Sequence, residues 1–160
     1  GKKPVVCLAG DGSIMMNLQE LQTIVTNKLP VKIVIINNDG YHQIRLTQTN
    51  LFNKNFVGIG PESGDLSFPD FGKLSNAFGI DYRKCDSQDS LQSDIDWLLK
   101  QDSYCVLEVV CSTTQIFEPK SATKRLEDGT LYSPPLEDLA PFLSREELKE
   151  NMFIEMWNER

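Results

Sequence analysis

Histidine is almost missing from this 160-residue chain, in which His42 stands alone. The four cysteines, Cys7, Cys85, Cys105 and Cys111, are scattered and form no CxxC pair. These two scarcities together exclude a structural zinc site of the Cys/His type. Cys7, Cys105 and Cys111 lie inside apolar runs, so the expectation is buried, reduced thiols in a cytoplasmic protein rather than a disulfide framework. Positive charge is also short, with 16 Lys and Arg against 23 Asp and Glu and a net charge of −7. That balance disfavours a nucleic-acid-binding face, which needs clustered Lys and Arg. It leaves room for a small phosphorylated ligand, since backbone amides and a bound cation can hold an anion. No apolar stretch approaches the ~18 residues needed to cross a bilayer, so no membrane partner is expected. Too few apolar residues follow Gly1-Lys2-Lys3-Pro4 for a signal peptide. The chain enters a strand almost at once and without an initiator Met, and the expectation is a piece of a longer polypeptide.

What is present describes one α/β domain. Apolar residues make up 40% and charged residues 24%, the balance of a globular protein long enough to bury a core without staples. Val5-Val6-Cys7-Leu8-Ala9 is a continuous apolar run that stops at Gly10, the pattern of a strand buried on both faces. Residues 17–27 carry Leu18, Leu21, Ile24 and Val25 at helical spacing, with Asn27 and Pro30 as stop signals. Residues 31–36 form a β-branched run that ends at the turn Asn37-Asn38-Asp39-Gly40. A short helix is expected over 71–78, capped by Ser67 or Asp70 and ended by Gly79. Then come a strand over 80–85, a helix marked by Leu91, Ile95, Leu98 and Leu99, and a buried strand over 104–110. Alternating strands and helices imply a mainly parallel sheet with helices on both faces, a three-layer α/β/α fold. Residues 53–67 have no period, and a loop of that length is often functional or mobile. From residue 113 onward Pro119, Pro134, Pro135 and Pro141 interrupt any regular element. The expected organisation is a ligand-binding domain over 1–112 and, over 113–160, an extended tail with a last helix from residue 145 to Trp157.

Two strand ends carry ligand-like chemistry, and ligands of doubly wound sheets sit beyond the carboxyl ends of the strands. At Gly10-Asp11-Gly12-Ser13 the glycines let backbone approach an anion, and amides at a helix start point toward it. A bare Asp11 carboxylate would repel a phosphate, so a divalent cation between the two makes sense of the combination. Asn37-Asn38-Asp39-Gly40 follows the next strand. Magnesium takes about six hard oxygens, and Asp11, the Asn38 amide oxygen and a backbone carbonyl at Gly40 are candidates for three of them. Two diphosphate oxygens and a water would complete that shell. Each motif alone is weak; the pair, with a strand before each and a helix between, is specific.

The pair resembles the thiamine-diphosphate motif of the pyruvate decarboxylase and acetolactate synthase family, a GDG followed some way on by an asparagine. Residues 10–21 are similar to the GDGSFQMNLQEL type of segment in acetolactate synthases. Asn37-Asn38-Asp39-Gly40-Tyr41 resembles the NNDGY of pyruvate decarboxylases, and Arg45 and Gln48 fall where the synthases have Arg and Gln in a VRQWQ stretch. The tail around Ser133-Pro134-Pro135-Leu136 resembles acetolactate-synthase-like proteins associated with bacterial surface-sugar gene clusters. The resemblance implies the C-terminal, thiamine-diphosphate-binding domain of such an enzyme. It implies Gly10, Asp11, Gly12, Ser13, Asn38, Gly40 and Tyr41 as the cofactor-binding set, with magnesium on Asp11, Asn38 and the Gly40 carbonyl. It also implies a pyrimidine-binding domain from the same or a second subunit, a homodimer or tetramer, and FAD only as a possibility in a full-length protein, with no site for it in this chain. The implied chemistry is attack of the cofactor's thiazolium carbon on a 2-oxo acid such as pyruvate, with loss of carbon dioxide. The two-carbon unit then passes to a second carbonyl or is protonated.

The same resemblance implies no catalytic residue within this chain. The glutamate that activates the aminopyrimidine belongs to the pyrimidine-binding domain, and the fragment alone is expected to be inactive. Where pyruvate decarboxylases have Glu, this chain has Ile44, which points away from simple release of an aldehyde. Thr47 replaces the synthases' tryptophan, so a ligase acting on a ketosugar is an alternative to an acetolactate-forming enzyme. A non-catalytic cofactor-binding module is a third reading. A Rossmann nucleotide-binding module is disfavoured, because no G-x-G-x-x-G opens the first helix. The remaining residues have ordinary readings: His42 as a partly exposed helix-start residue, Glu20 as solvated, Met15 and Met16 as core filling, Trp97 and Trp157 as helix-face packing or interface residues.

Overall fold

The computed structural model describes residues 3–156. Four parallel strands form the main sheet: β1 (Val5–Gly10), β2 (Val31–Asn37), β3 (Asp81–Cys85) and β4 (Cys105–Val110), in the order β1-β2-β4-β3. Strand side chains alternate between faces, and the sequence of β2 uses both. Ile33 and Ile35 enter one cluster with Leu21, Phe71, Ile80 and Val106, against which Ile24, Val25, Leu74 and Phe78 also pack. Val34 enters the other, with Cys85, Leu98, Cys105 and Leu107, joined by Leu91, Ile95 and Trp97. Helices α2 (Glu20–Thr26) and α4 (Phe71–Ala77) therefore cover one face, and α5 (Leu91–Lys100) covers the other. This is the three-layer α/β/α arrangement that the alternation of elements implies.

Several local expectations need correction. β1 is an edge strand, and Val5, Val6, Cys7 and Leu8 are all exposed rather than buried on both faces. An apolar run reads alike in a central and an edge strand; only the strand order separates them. For the same reason Cys7 is exposed, while Cys85 and Cys105 are buried; all four thiols are free. The first helix begins earlier than residue 17, because α1 (Asp11–Ile14) starts directly after Gly10 and a 3-10 turn over Met15–Asn17 leads toward α2. A further helix, α3 (His42–Leu51), follows the 37–40 turn; its start at His42 is as expected, but its run to Leu51 had no apolar period to mark it. Its low overall apolarity hid it, for its inward residues are His42 and Arg45. α4 is capped by Asp70, whose side chain accepts from the Lys73 amide at 2.9 Å, and Gly79 follows it with φ of +67°. Trp97 packs on α5 as expected, with the Arg83 guanidinium 4.7 Å above its ring.

Residues from Gln115 onward make a second compact unit. It is not simply extended: β5 (Lys124–Arg125) and β6 (Leu131–Tyr132) pair antiparallel, and Lys120 bridges to Ala140. Its buried Asp138 accepts from Arg145 at 2.7 Å and Lys124 at 3.2 Å. Helix α6 (Arg145–Asn151) is capped by Ser144 and stops at Met152, which takes an extended conformation, six residues short of the expected end. Trp157 lies outside the described residues. No helix among the described residues is long and apolar enough to cross a membrane.

Leu107 has no exposed surface and sits at the centre of the α5-side cluster. Leu107→Ala is expected to lower stability by about 2–5 kcal/mol, read as a shift of the denaturant midpoint with an unchanged slope.

Candidate functional site

The parallel pairing of β1 with β2 runs in register from Val5 opposite Val31 to Gly10 opposite Ile36. Both strands thus end at one level, and the two motifs emerge side by side. A buried carboxylate joins them. Asp11, 2% exposed, accepts the Gly12 amide on Oδ1 at 2.7 Å and the Gly40 amide on Oδ2 at 2.8 Å. Burial pushes the Asp11 carboxyl above the ordinary carboxylate range, while the amides of Gly40, Gly12 and Asn38 pull the other way. A carboxylate so placed gains from a neighbouring cation, because burial penalises its bare charge.

Gly12 and Gly40 are glycine because a side chain has no room there. A Cβ on Gly12 would lie 2.4 Å from the Tyr41 ring, whose hydroxyl donates to the Gly12 carbonyl at 3.3 Å. Gly40 has φ of +134°, and a Cβ there would lie 1.9 Å from the Ile59 carbonyl oxygen. Tyr41 donates its amide to that same oxygen at 2.7 Å. Asp39 takes φ of +57°, a left-handed conformation that Asp tolerates better than most residues. The Gly40 carbonyl accepts from the His42 amide at 3.0 Å, which leaves its second lone pair for another partner.

Of the expected site residues, Asp11, Gly12 and Gly40 are buried, Gly10, Asn38 and Tyr41 are half-buried, and Ser13 is exposed. The structure brings Asp11 against Gly12 and Gly40, and Tyr41 against Gly12. The Gly12 amide, expected to face a diphosphate, is given to Asp11 in this structure. His42 corrects the reading of a partly exposed residue: it is 4% exposed, with Nδ1 3.3 Å from Arg45 Nη1. Arginine only donates, so Nδ1 is the acceptor in that contact. Glu20 is exposed, as its solvated reading requires, and of the two methionines Met15 packs against the core while Met16 is exposed.

Further residues support the turn without belonging to either motif. Asn37 accepts the Asp39 amide at 3.0 Å and donates to Glu108 at 2.6 Å, and Glu108 also accepts from the Tyr82 hydroxyl. Burial and the Glu108 carboxylate raise the Tyr82 phenol above its ordinary value. Arg45 donates to the carbonyls of Asp39 and Asn38 at 2.8 and 3.3 Å and to Glu62 at 3.0 Å. Glu108 had a signal in the sequence, being the one charged residue in the run Cys105-Val106-Leu107-Glu108-Val109-Val110, where a buried carboxylate demands partners. The cluster Gly58, Gly60 and Gly64 within the aperiodic loop was the corresponding sign for Ile59 and Glu62.

Among the described residues no group of three or more His, Cys, Asp or Glu side chains gathers to hold a metal. The donors expected at the two strand ends would be of a mixed kind, one carboxylate, one amide oxygen and one carbonyl. They would leave the rest of a magnesium shell to ligand and water oxygens. The buried Asp11 carboxylate, met by backbone amides on both oxygens, fits a neighbouring cation.

Residues 1–109 match a family model described as thiamine pyrophosphate enzyme, C-terminal TPP binding domain. The chain is 35% identical over 107 residues to the acetolactate synthase large subunit of Parasynechococcus marenigrum (strain WH8102), covering 67% of this chain and 17% of that protein. It is 36% identical over 105 residues to the acetolactate synthase isozyme 2 large subunit of Escherichia coli (strain K12), covering 66% of this chain and 18% of that one. Among solved structures, benzoylformate decarboxylase from Polynucleobacter necessarius superposes with a TM-score of 0.61 at 25% identity, over 72% of this chain and 21% of that chain. The chain thus spans 17–18% of the length of these two curated relatives. With the family model matched from the first strand through nearly all of β4, the chain belongs to the thiamine pyrophosphate enzymes, as their C-terminal TPP-binding domain.

Proposed function

We propose that this domain anchors thiamine diphosphate through magnesium in an acetolactate-synthase-like enzyme, which moves a two-carbon unit from a 2-oxo acid such as pyruvate to a carbonyl acceptor. The observation that carries the reading is Asp11, a buried carboxylate that bridges the two strand-end motifs through the Gly12 and Gly40 amides. In this reading Asp11, the Asn38 side-chain oxygen and the Gly40 carbonyl hold the magnesium. Gly10, Gly12, Ser13 and Tyr41 line the approach of the diphosphate.

The chain's own contribution is placement. Asp11 neutralises part of the cation's charge, and its burial keeps that charge in a poorly solvated setting where the attraction is stronger. Tyr41 closes over Gly12 and limits how far the first turn of α1 moves. When bound, the cofactor supplies a nucleophilic thiazolium carbon for attack on the 2-oxo acid. The group that activates it comes from a pyrimidine-binding domain of the same or a second subunit, which makes an oligomer and a cytoplasmic setting part of the proposal. The relatives named as acetolactate synthases support the acetolactate-synthase-like reading.

Titration calorimetry of the protein assembled with its pyrimidine-binding domain tests this directly. Thiamine diphosphate is expected to bind with magnesium and to lose at least about 10–100-fold in affinity without it or in Asp11→Ala and Asn38→Ala. Equal binding with and without magnesium overturns the reading.

A pH series supplies a second check. Magnesium needs Asp11 ionised, and burial places its protonation above the ordinary value of about 3.9. As pH falls, magnesium affinity is expected to weaken at a higher pH than an ordinary carboxylate would give, approaching about tenfold per pH unit below the Asp11 transition.

A further inference from the structure

We propose that Arg45 is the positioning residue of the cation turn and that Glu62 holds it in place, an inference that rests on the magnesium reading above. Arg45 is 6% exposed, so its guanidinium must be satisfied inside the protein. It is satisfied on the turn itself. Nη2 donates to the Asp39 carbonyl at 2.8 Å and Nη1 to the Asn38 carbonyl at 3.3 Å, while Nε donates to Glu62 Oε2 at 3.0 Å.

The peptide between Asp39 and Gly40 explains why this matters. Its carbonyl is held by Arg45, and its N–H donates to Asp11 Oδ2. In a planar trans peptide those two groups point in opposite directions, so Arg45 and Asp11 grip one rigid plane from opposite sides. Rotation of that plane would withdraw the amide that Asp11 needs and so loosen the carboxylate proposed to hold the cation. Asp39 has φ of +57°, an unfavourable region for a residue with a side chain, so the turn needs such a hold.

Glu62 ties this grip to the 58–65 loop. Its carboxylate is half exposed, and the ion pair alone adds little stability. It does, however, fix the Nε edge of the guanidinium and so the direction of both Nη groups. The loop is already in backbone contact with the turn: a Cβ on Gly60 would lie 2.4 Å from the Asp39 carbonyl oxygen. Ser63 Oγ donates to the Gly60 carbonyl at 2.7 Å, and the Gly58 amide donates to Asp65 at 3.0 Å, which keeps the loop folded on itself. A lysine at position 45 would carry the charge but offers a single nitrogen where the site uses three.

The test compares Arg45→Lys and Glu62→Gln with the unsubstituted protein, assembled with its pyrimidine-binding domain, well below each unfolding midpoint. The magnesium concentration that half-saturates thiamine diphosphate binding is measured by calorimetry. Exchange of the Gly40 amide is followed in metal-free protein. Arg45→Lys is expected to raise the half-saturating magnesium about tenfold, the loss typical of groups that orient metal ligands, and Glu62→Gln a few-fold. Both are expected to speed Gly40 exchange relative to Val106 in the core. A role confined to stability would lower the unfolding midpoint and leave the magnesium requirement where it was. If Arg45→Lys fails to fold, the half-exposed Glu62→Gln decides alone. Magnesium-dependent binding that the folded variants do not shift overturns the positioning role alone. Loss of magnesium dependence in the unsubstituted protein overturns the underlying reading, and this proposal with it.

Discussion

A carboxylate buried at the end of a parallel strand pair sets the terms for everything around it. Asp11 has no basic side chain paired with it among the described residues; backbone amides from Gly12 and Gly40 meet its two oxygens. Amides compensate a charge only if the backbone comes close, and that closeness is why both positions are glycine. At Gly12 the space beyond the backbone belongs to the Tyr41 ring, and at Gly40 to the Ile59 carbonyl. The register of β1 and β2 delivers both segments to the same level, so the sheet is the part of the fold that builds the contact.

The 37–40 turn is supported from two directions by residues far away in sequence. From the sheet side Asn37 is tied to Glu108 on β4, which in turn takes the Tyr82 hydroxyl from β3. From the helix side Arg45 on α3 gathers the Asn38 and Asp39 carbonyls and reaches Glu62. A turn of four polar and small residues has little apolar surface of its own to bury, so hydrogen bonds rather than packing must define it. The packed sheet and α3 beneath it give those hydrogen bonds fixed origins, which is the condition for a metal site with reproducible geometry.

The near absence of histidine and the scattering of cysteine agree with what the strand ends offer. A hard divalent cation takes oxygen donors, and in the proposed site they would come from one carboxylate, one amide side chain and a main-chain carbonyl. Such a donor set is incomplete by its own chemistry, since the remaining positions fall to an anionic ligand and water. It therefore reads as an anchoring site for a cofactor rather than a closed structural metal centre. The pyrimidine-binding domain supplies the activating chemistry in the proposed enzyme, and this domain supplies the fixed end.

Much of the sheet and the two segments that meet at Asp11 were legible in the sequence. Apolar runs marked β1, β2 and β4, helical spacing marked α5, and the two strand-end motifs named Asp11, Asn38 and Gly40 because their meaning depends on only a few neighbouring residues. What the sequence could not carry depends on neighbours far along the chain. Whether Val5, Val6, Cys7 and Leu8 face a core or the surface is decided by strand order, and β1 proved to be an edge. Helix α3 turns inward on His42 and Arg45, which an apolar period does not register. Glu62 is an ordinary charged residue until the fold sets it against Arg45, and the partners of Arg45 and Glu108 exist only in the packed chain. Local spacing thus determined which segments carry the candidate ligands, and tertiary structure alone decided what holds them there, because burial and backbone contact across the sheet are properties of the packed chain.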